Sequence, residues 1–302
     1  MLRLFCVFLQ ILFFAVLVSA SPVSPLFGIG QESFSFSILD LLPQGKTVEF
    51  NPNIAGVSRL GINAFGFAVG YSFRGSDQNL DPLKGSTQFF DLQLGYNQKQ
   101  WGVETFYQTY QGFYTANTKA IQLFPDLRFV HYGLIGRYAL SDGEFSVPGL
   151  MDQSDDVKTS SGKYYVLGGV RYHSMQTSVS LLQQENAGIN PELENLRQLK
   201  TTSVNFGVGA GKYWVHSSRF FIGGLLDILG TVGLYNYSSV SDSSQSSYAT
   251  LSYDLKLAAG YAGDVFKSGI GFTADTTTLK TPGLTFLKPS ALRALIYIRA
   301  VF

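Results

Sequence analysis

Cysteine is almost missing from this chain of 302 residues: the one example, Cys6, lies inside an apolar N-terminal run. Outside that run there is no thiol for a disulfide, a nucleophile or a thiolate-bound metal. Charge is also scarce. Only 14% of residues are Asp, Glu, Lys or Arg, against about 25% in soluble domains, and the net charge is +1. That balance argues against a nucleic acid or an acidic partner held by bulk electrostatics. Long membrane helices are missing too. The best candidate, Phe220–Tyr237, is interrupted by Asp227 and carries Gly223, Gly224, Gly230 and Gly233, which suits a long tilted strand better. What the chain has in quantity is glycine (32), tyrosine (17) and phenylalanine (25). Abundant aromatics with little charge imply a large surface that does not face water.

The N-terminus has the form of an export signal. Arg3 supplies a positive start, Leu4–Val18 an apolar stretch, and Val18-Ser19-Ala20 a small-residue cleavage pattern before Ser21. The expected organisation is a signal peptide at 1–20, an N-terminal lead-in at 21–56 read as a first hairpin, and a transmembrane β-barrel at 57–302.

Beyond residue 57 the apolar pattern has period two. On the closing stretch, Ala294, Ile296, Ile298, Ala300 and Phe302 share one face, while Arg293, Leu295, Tyr297, Arg299 and Val301 share the other. Similar alternation runs through Leu60–Phe73, Gln88–Asn97, Trp101–Phe113, Arg128–Leu140, Lys163–His173, Thr202–Trp214, Phe220–Tyr237, Leu251–Ala262 and Ile270–Asp275. Large residues on one face and small or polar ones on the other suit a barrel with lipid outside and a narrow polar lumen inside. Counted back from Phe302, long external and short periplasmic connections alternate, with Ser141–Gly162 the one long segment on the periplasmic side. The total is about twelve antiparallel strands, or ten if the first hairpin is only a lead-in. A secreted β-sandwich is the soluble alternative, but it needs fewer aromatic faces.

With these segments laid out, the sequence resembles the bacterial outer-membrane β-barrel family catalogued as domain of unknown function 4421. The resemblance rests on FNPN at Phe50–Asn53, FFDLQL at Phe89–Leu94, WGVETFYQTYQGFY at Trp101–Tyr114 and GEFSVPGLMDQ at Gly143–Gln153. It implies the fold and an outer-membrane location, and it implies no activity.

Candidate chemistry lies on the inward faces. Asp91, Glu104, Arg137, Arg171, Asp254, Lys256, Asp275, Arg293 and Arg299, with His131 and His173, are the expected lumen lining. Such mixed charge can line a solute path or pair to plug the barrel, and a narrow lumen favours partial plugging. His131 and His173 could in principle work with a serine such as Ser174, as in a membrane-embedded lipid hydrolase, but no nucleophile motif surrounds them. Asp152, Asp155 and Asp156 lack the ligand order of a calcium loop and read as a solvated loop. Asn190 and Pro191, followed by Leu193, Leu196 and Leu199, predict a short external helix that folds over or into the barrel mouth.

The functional expectation is therefore an outer-membrane barrel forming a narrow or gated path for small solutes, without catalytic residues, cofactor or metal. Its expected partners are outer-membrane lipids and, through the strand ending at Phe302, the barrel-assembly machinery, with a small solute possible and no nucleic acid. The alternatives are a structural or surface-interaction barrel without transport and a lipid hydrolase. The mature chain should show heat-modifiable migration on gels and a β-type circular dichroism spectrum in detergent; a detergent-independent soluble monomer is the contrary outcome.

Overall fold

A computed structural model describes residues 23–40, 47–75, 80–116, 121–181, 196–217, 219–239, 243–280 and 285–302. The proposed signal peptide at 1–20 lies outside the described residues. Two consecutive strands, β1 (Ser24–Asp40) and β2 (Thr47–Phe50), are followed by the hairpin β3 (Val57–Ala64) and β4 (Phe67–Arg74). The next four strands are β5 (Gln88–Asn97), β6 (Trp101–Ala116), β7 (Ile121–Ala139) and β8 (Ser161–Gln176), with a helix, α1 (Val147–Asp152), between the last two. Then come β9 (Leu196–His216), β10 (Phe220–Ser239), β11 (Ser243–Ala262), β12 (Phe266–Thr277), β13 (Leu279–Lys280) and β14 (Thr285–Ala300). All pairings are antiparallel; β1, β3 to β12 and β14 follow one another around the wall in chain order, and β14 returns to pair with β1, so twelve strands close into a barrel. β2 and β13 are short additions to β1 and β14.

The ring forms as the alternating pattern demands. Phe27 and Ile29 of β1, Ile222, Leu226 and Ile228 of β10, and Ile296 and Ile298 of β14 are exposed on the outer wall. Their strand neighbours Gly28, Asp227, Tyr297 and Arg299 are buried inside. This inside-out arrangement holds only for part of the height. Towards the end of the barrel away from Val23 and Phe302, Phe34, Phe36 and Ile38 of β1 turn inward and are fully buried, while Ser33, Ser35 and Ser37 face out. Phe36 stacks on Phe50 at 4.6 Å and Phe34 on Tyr110 at 4.5 Å. With Phe113, Phe124, Leu127, Phe129, Met175, Leu196 and Leu287 they fill the far end like the core of a soluble protein.

The near end, where the described chain begins at Val23 and ends at Phe302, is stoppered differently. The segment between β7 and β8 folds into the barrel mouth and carries α1, capped by Ser146 Oγ, which accepts from Gly149 N at 3.0 Å, and ended by Gln153 in the left-handed region (φ 53°). Phe145, Val147 and Leu150 bury against Tyr165, Tyr213, Phe221, Leu225 and Ala258 of the wall. Glycine makes the room: a methyl at Gly211 would collide with the Phe145 ring, and one at Gly223 would lie 2.9 Å from Leu150. The long near-side connection that interrupts the alternation of loop lengths is thus a plug.

Four sequence expectations change. The 21–56 segment is not a hairpin of two barrel strands, because β1 alone enters the ring, paired with β14 and β3, and β2 only flanks it. Leu60–Phe73 is two strands, because Phe65 (φ 57°) and Gly66 (φ 80°) form a two-residue turn between Ala64 and Phe67. The expected helix fails where it is described: Leu196 and Leu199 belong to β9 and are buried in the far-end core, while 190–195 lie outside the described residues. Asp152 and Asp156 are plug anchors, paired with Arg299 and Lys267, rather than a solvated cluster.

The FNPN stretch acts as a strut between loops. Asn53 N donates to Thr87 Oγ1 at 2.8 Å, its Nδ2 donates to the carbonyls of Asp81 and Gly85, and Thr87 Oγ1 donates to Gly112 O at the β6 bulge. Phe36→Ala, by hollowing the far-end core, should lower the unfolding free energy in detergent by roughly 3–5 kcal/mol. The outward Ile29→Ala should cost much less in the same denaturant titration.

Candidate functional site

Between the two stoppers lies a belt of charge. On one side, Arg293 of β14 reaches across the barrel seam to Glu32 of β1 (Nε to Oε2, 2.9 Å) and also binds Asp91 of β5. Asp91 is completely buried, and Arg59 of β3 stands 3.8 Å from it while donating to Ser72 Oγ and Gln93 Oε1. Tyr110 Oη donates to Glu32 Oε1 at 2.6 Å, joining the belt to the aromatic core above it.

On the other side, Arg137 of β7 is the hub. Its Nη1 lies 2.8 Å from Glu104 Oε1, its Nη2 lies 2.8 Å from Asp227 Oδ2, and Asp254 is 3.9 Å away. Lys256 binds Asp254 on the same strand. Arg171 of β8 pairs with Asp275 at 3.2 Å and donates to Thr277 Oγ1 at 3.0 Å. Buried charges of this kind are tolerated because each has an opposite partner.

A cavity of about 260 Å³ runs through this belt, bounded by α1 below and by β3, β4 and β5 at the side. Space remains there because the inward positions of that wall are small or short: Gly61, Asn63, Ala68, Gly70, Gly95 and Asn97. Glu104, His131, Arg171, Asp254, Lys256, Asp275, Arg293 and Arg299 line the cavity, while Asp91, Arg137 and His173 are buried behind that lining.

The two histidines sit opposite each other on β7 and β8, with rings stacked at 4.1 Å. His131 Nε2 and both ring nitrogens of His173 have no hydrogen-bond partner. A hydrolytic relay needs a hydroxyl on one ring nitrogen and a carboxylate on the other, and that arrangement is not formed. Among the described residues no group of three or more His, Cys, Asp or Glu is placed to hold a metal ion.

Arg299 anchors the plug. Its Nε donates to Asp152 O at 2.7 Å, its Nη2 pairs with Asp152 Oδ2 at 3.1 Å, and its Nη1 donates to Ser24 O and Oγ, so one fully buried side chain joins α1, β14 and β1. Gln153 Nε2 donates to Tyr297 Oη and Ser268 O, and Lys267 Nζ donates to Gln153 O and Asp156 Oδ1. Asp156, in the loop beyond the helix, is held below the usual carboxylate range by its bonds to Lys158 and Lys267. That contribution to the tether is present above the ordinary Asp pKa and is lost as the pH falls through the depressed value.

Four participants lay outside the expected lining. Glu32 and Arg59 sit on short or weakly patterned stretches, Asp227 showed itself only as a flaw in an apolar run, and Asp152 belonged to a loop. Parity would have found Asp227, since it is inward on a strand whose even-numbered residues face out.

The sequence profile of the family described as domain of unknown function 4421 matches residues 31–297. The chain belongs to this family. No curated protein matches the sequence. Among solved structures, the outer membrane protease OmpT from Escherichia coli aligns over 93% of this chain and 97% of its own, with 9% identity and a TM-score of 0.44. The Pseudomonas putida toluene transporter TodX aligns over 95% and 91%, with 8% identity and a TM-score of 0.31. The attachment invasion locus protein Ail of Yersinia pestis aligns over 67% and 99%, with 15% identity and a TM-score of 0.25. The fold of this DUF4421 chain is an outer-membrane-type β-barrel.

Removing the hub of the belt tests its role. Arg137→Met leaves Asp227 and Glu104 without their main cation and should destabilise the barrel by roughly 3–5 kcal/mol. Arg137→Met combined with Asp227→Leu should recover much of that loss, measured as the denaturant midpoint in detergent.

Proposed function

We propose that this chain is an integral protein of the bacterial outer membrane, exported by its N-terminal signal, that provides a narrow gated path for small polar solutes and is closed in the conformation described. The described ends at Val23 and Phe302 and the plug face the periplasm, and the aromatic core lies on the external side, outside the hydrocarbon. Strands β9, β10 and β11, at 21, 20 and 20 residues, far exceed the roughly 9–11 needed to cross the hydrocarbon. Their excess carries the far-end core beyond the hydrocarbon, from headgroup height outward. Strand β14, with the exposed ring of Phe302 after it, is the segment offered to the barrel-assembly machinery.

The observation that carries the reading is the charged cavity between two stoppers of different kinds. The far end is filled by wall side chains, whereas the near end is closed by a separate segment joined to the wall covalently only at Ala139 and Ser161. A barrel with a purely structural role would be expected to fill its interior throughout, as the far end does. The unpartnered histidine pair leaves lipid hydrolysis without a relay.

The test is conductance in planar bilayers after refolding. Wild type should show small, infrequent openings. Arg299→Gln, which frees the plug, combined with Phe36→Ala, which loosens the far end, should raise their frequency at least about tenfold, or ~1.4 kcal/mol. Silence from both proteins, when heat-modifiability shows them inserted, selects the structural reading.

A further inference from the structure

On the outer wall just beyond the apolar band, antiparallel pairing aligns polar residues from seven successive strands. Gln88 pairs with Gln111, Gln111 with Arg128, Arg128 with Gln176, Gln176 with Gln198, Gln198 with Ser238, and Ser238 with Ser243. One step towards the band on the same face, Ser174 pairs with Lys200, Lys200 with Asn236, and Asn236 with Gln245. A further step down, the outward Tyr107, Tyr132 and Tyr172 form a stacked ladder, with centroid separations of 6.2 and 4.7 Å. Tyrosine at that level marks the edge of the hydrocarbon.

The polar patch is therefore at the height of lipid headgroups, and its composition is specific. It holds two cations, Arg128 and Lys200, and no carboxylate in either aligned row. The nearby Asp126 is turned to the backbone, accepting from Ser178 N at 2.5 Å. Arg128 and Lys200 are two strands and two residues apart, which places their Cα atoms about 12 Å from each other. Both side chains are long enough to close on one headgroup from either side. Between and beside them stand amides and hydroxyls, the partners that sugar hydroxyls need. Gln198, Lys200, Asn236 and Gln245 also line a depression in this wall, which gives a ring-sized group a place to sit.

We propose that this patch is a binding site for a phosphorylated glycolipid of the outer leaflet, with Arg128 and Lys200 taking phosphate and Gln176, Gln198, Asn236 and Gln245 taking the sugar. The proposal rests on the membrane orientation given under Proposed function. An ordinary anionic phospholipid would satisfy the two cations but leave the amide array without a use. Lys212 provides the internal control. It lies on the same outer wall at the opposite rim, over the Trp214 ring at 5.2 Å, with no amide row beside it.

The test uses the full refolded chain in detergent and three probes: rough lipopolysaccharide, the same lipid enzymatically dephosphorylated, and phosphatidylglycerol. Bound lipid is counted by native mass spectrometry, and insertion into liposomes and heat-modifiability are read on the same preparations. Lipopolysaccharide should bind wild type at least tenfold more tightly than it binds Arg128→Gln/Lys200→Gln. Dephosphorylation should bring wild type down to the level of that variant, and Lys212→Gln should bind as wild type does. Equal binding by wild type and the double variant, or phosphatidylglycerol binding as well as lipopolysaccharide, overturns the site while leaving the membrane reading intact. A wild-type chain that neither inserts nor shifts on heating overturns the membrane reading and the site with it.

Discussion

Closure of the sheet between β1 and β14 is the constraint on which everything else depends. A strand edge left open in hydrocarbon would strand its N–H and C=O groups without partners, at several kcal/mol each. The first and last strands of the barrel must therefore meet, and they do so from Leu26 opposite Arg299 to Asp40 opposite Thr285. Side chains reinforce the seam at two heights. Arg293 crosses it to Glu32, and Arg299 crosses it to Ser24 while holding the plug. The closing strand is thus a seam, a belt member and a plug anchor, and its two arginines perform those tasks because period-two alternation points both inward.

A consequence of a tall barrel is that the meaning of inside and outside changes with height. Where the wall meets lipid, apolar residues face out and the interior can be ionic. Where it meets water, the same strand must bury its apolar face inward or aggregate. β1 shows the change within one strand: Phe27 and Ile29 face out, and Phe34, Phe36 and Ile38 face in, with no slip in alternation between them. The swap is one of composition on two fixed faces, with Gln31 and the serines taking over the outer face.

That swap explains what could be read from the sequence and what could not. Alternation is a local signal, so the antiparallel barrel, its strand number and the inward placement of Arg137, Arg171, Arg293 and Arg299 were legible. The twelve-strand total was reached with a different set of strands. It took the β1–β2 pair as two barrel strands and Leu60–Phe73 as one, whereas β1 alone enters the ring and the second segment is the hairpin β3–β4. The turn there was hidden because Phe65, a residue with no turn preference, occupies a left-handed position that Asn or Gly would have announced. Its trace is a phase slip: outward residues are even at Leu60 and Ile62 and odd from Phe67 onward. The plug was invisible for another reason. Its anchors Asp152 and Gln153 meet Arg299 and Tyr297 more than 140 residues later, and such contacts leave no periodic mark.

The interior also shows why a barrel packed with ion pairs retains a cavity. Salt bridges are directional and fix side chains along the lines between partners, so they tie walls together without filling the space beside them, whereas the aromatic core at the far end fills whatever it meets. Arg293 and Arg137 draw their carboxylates to two sides of the barrel, and the β3–β5 wall between them presents Gly61, Gly70 and Gly95 where bulky residues would have closed the gap. Space, charge and small wall residues therefore coincide at one level, directly above the one stopper that is not itself part of the wall. That level is where the interior holds the fewest packed side chains, so a movement of the plug would displace the least there.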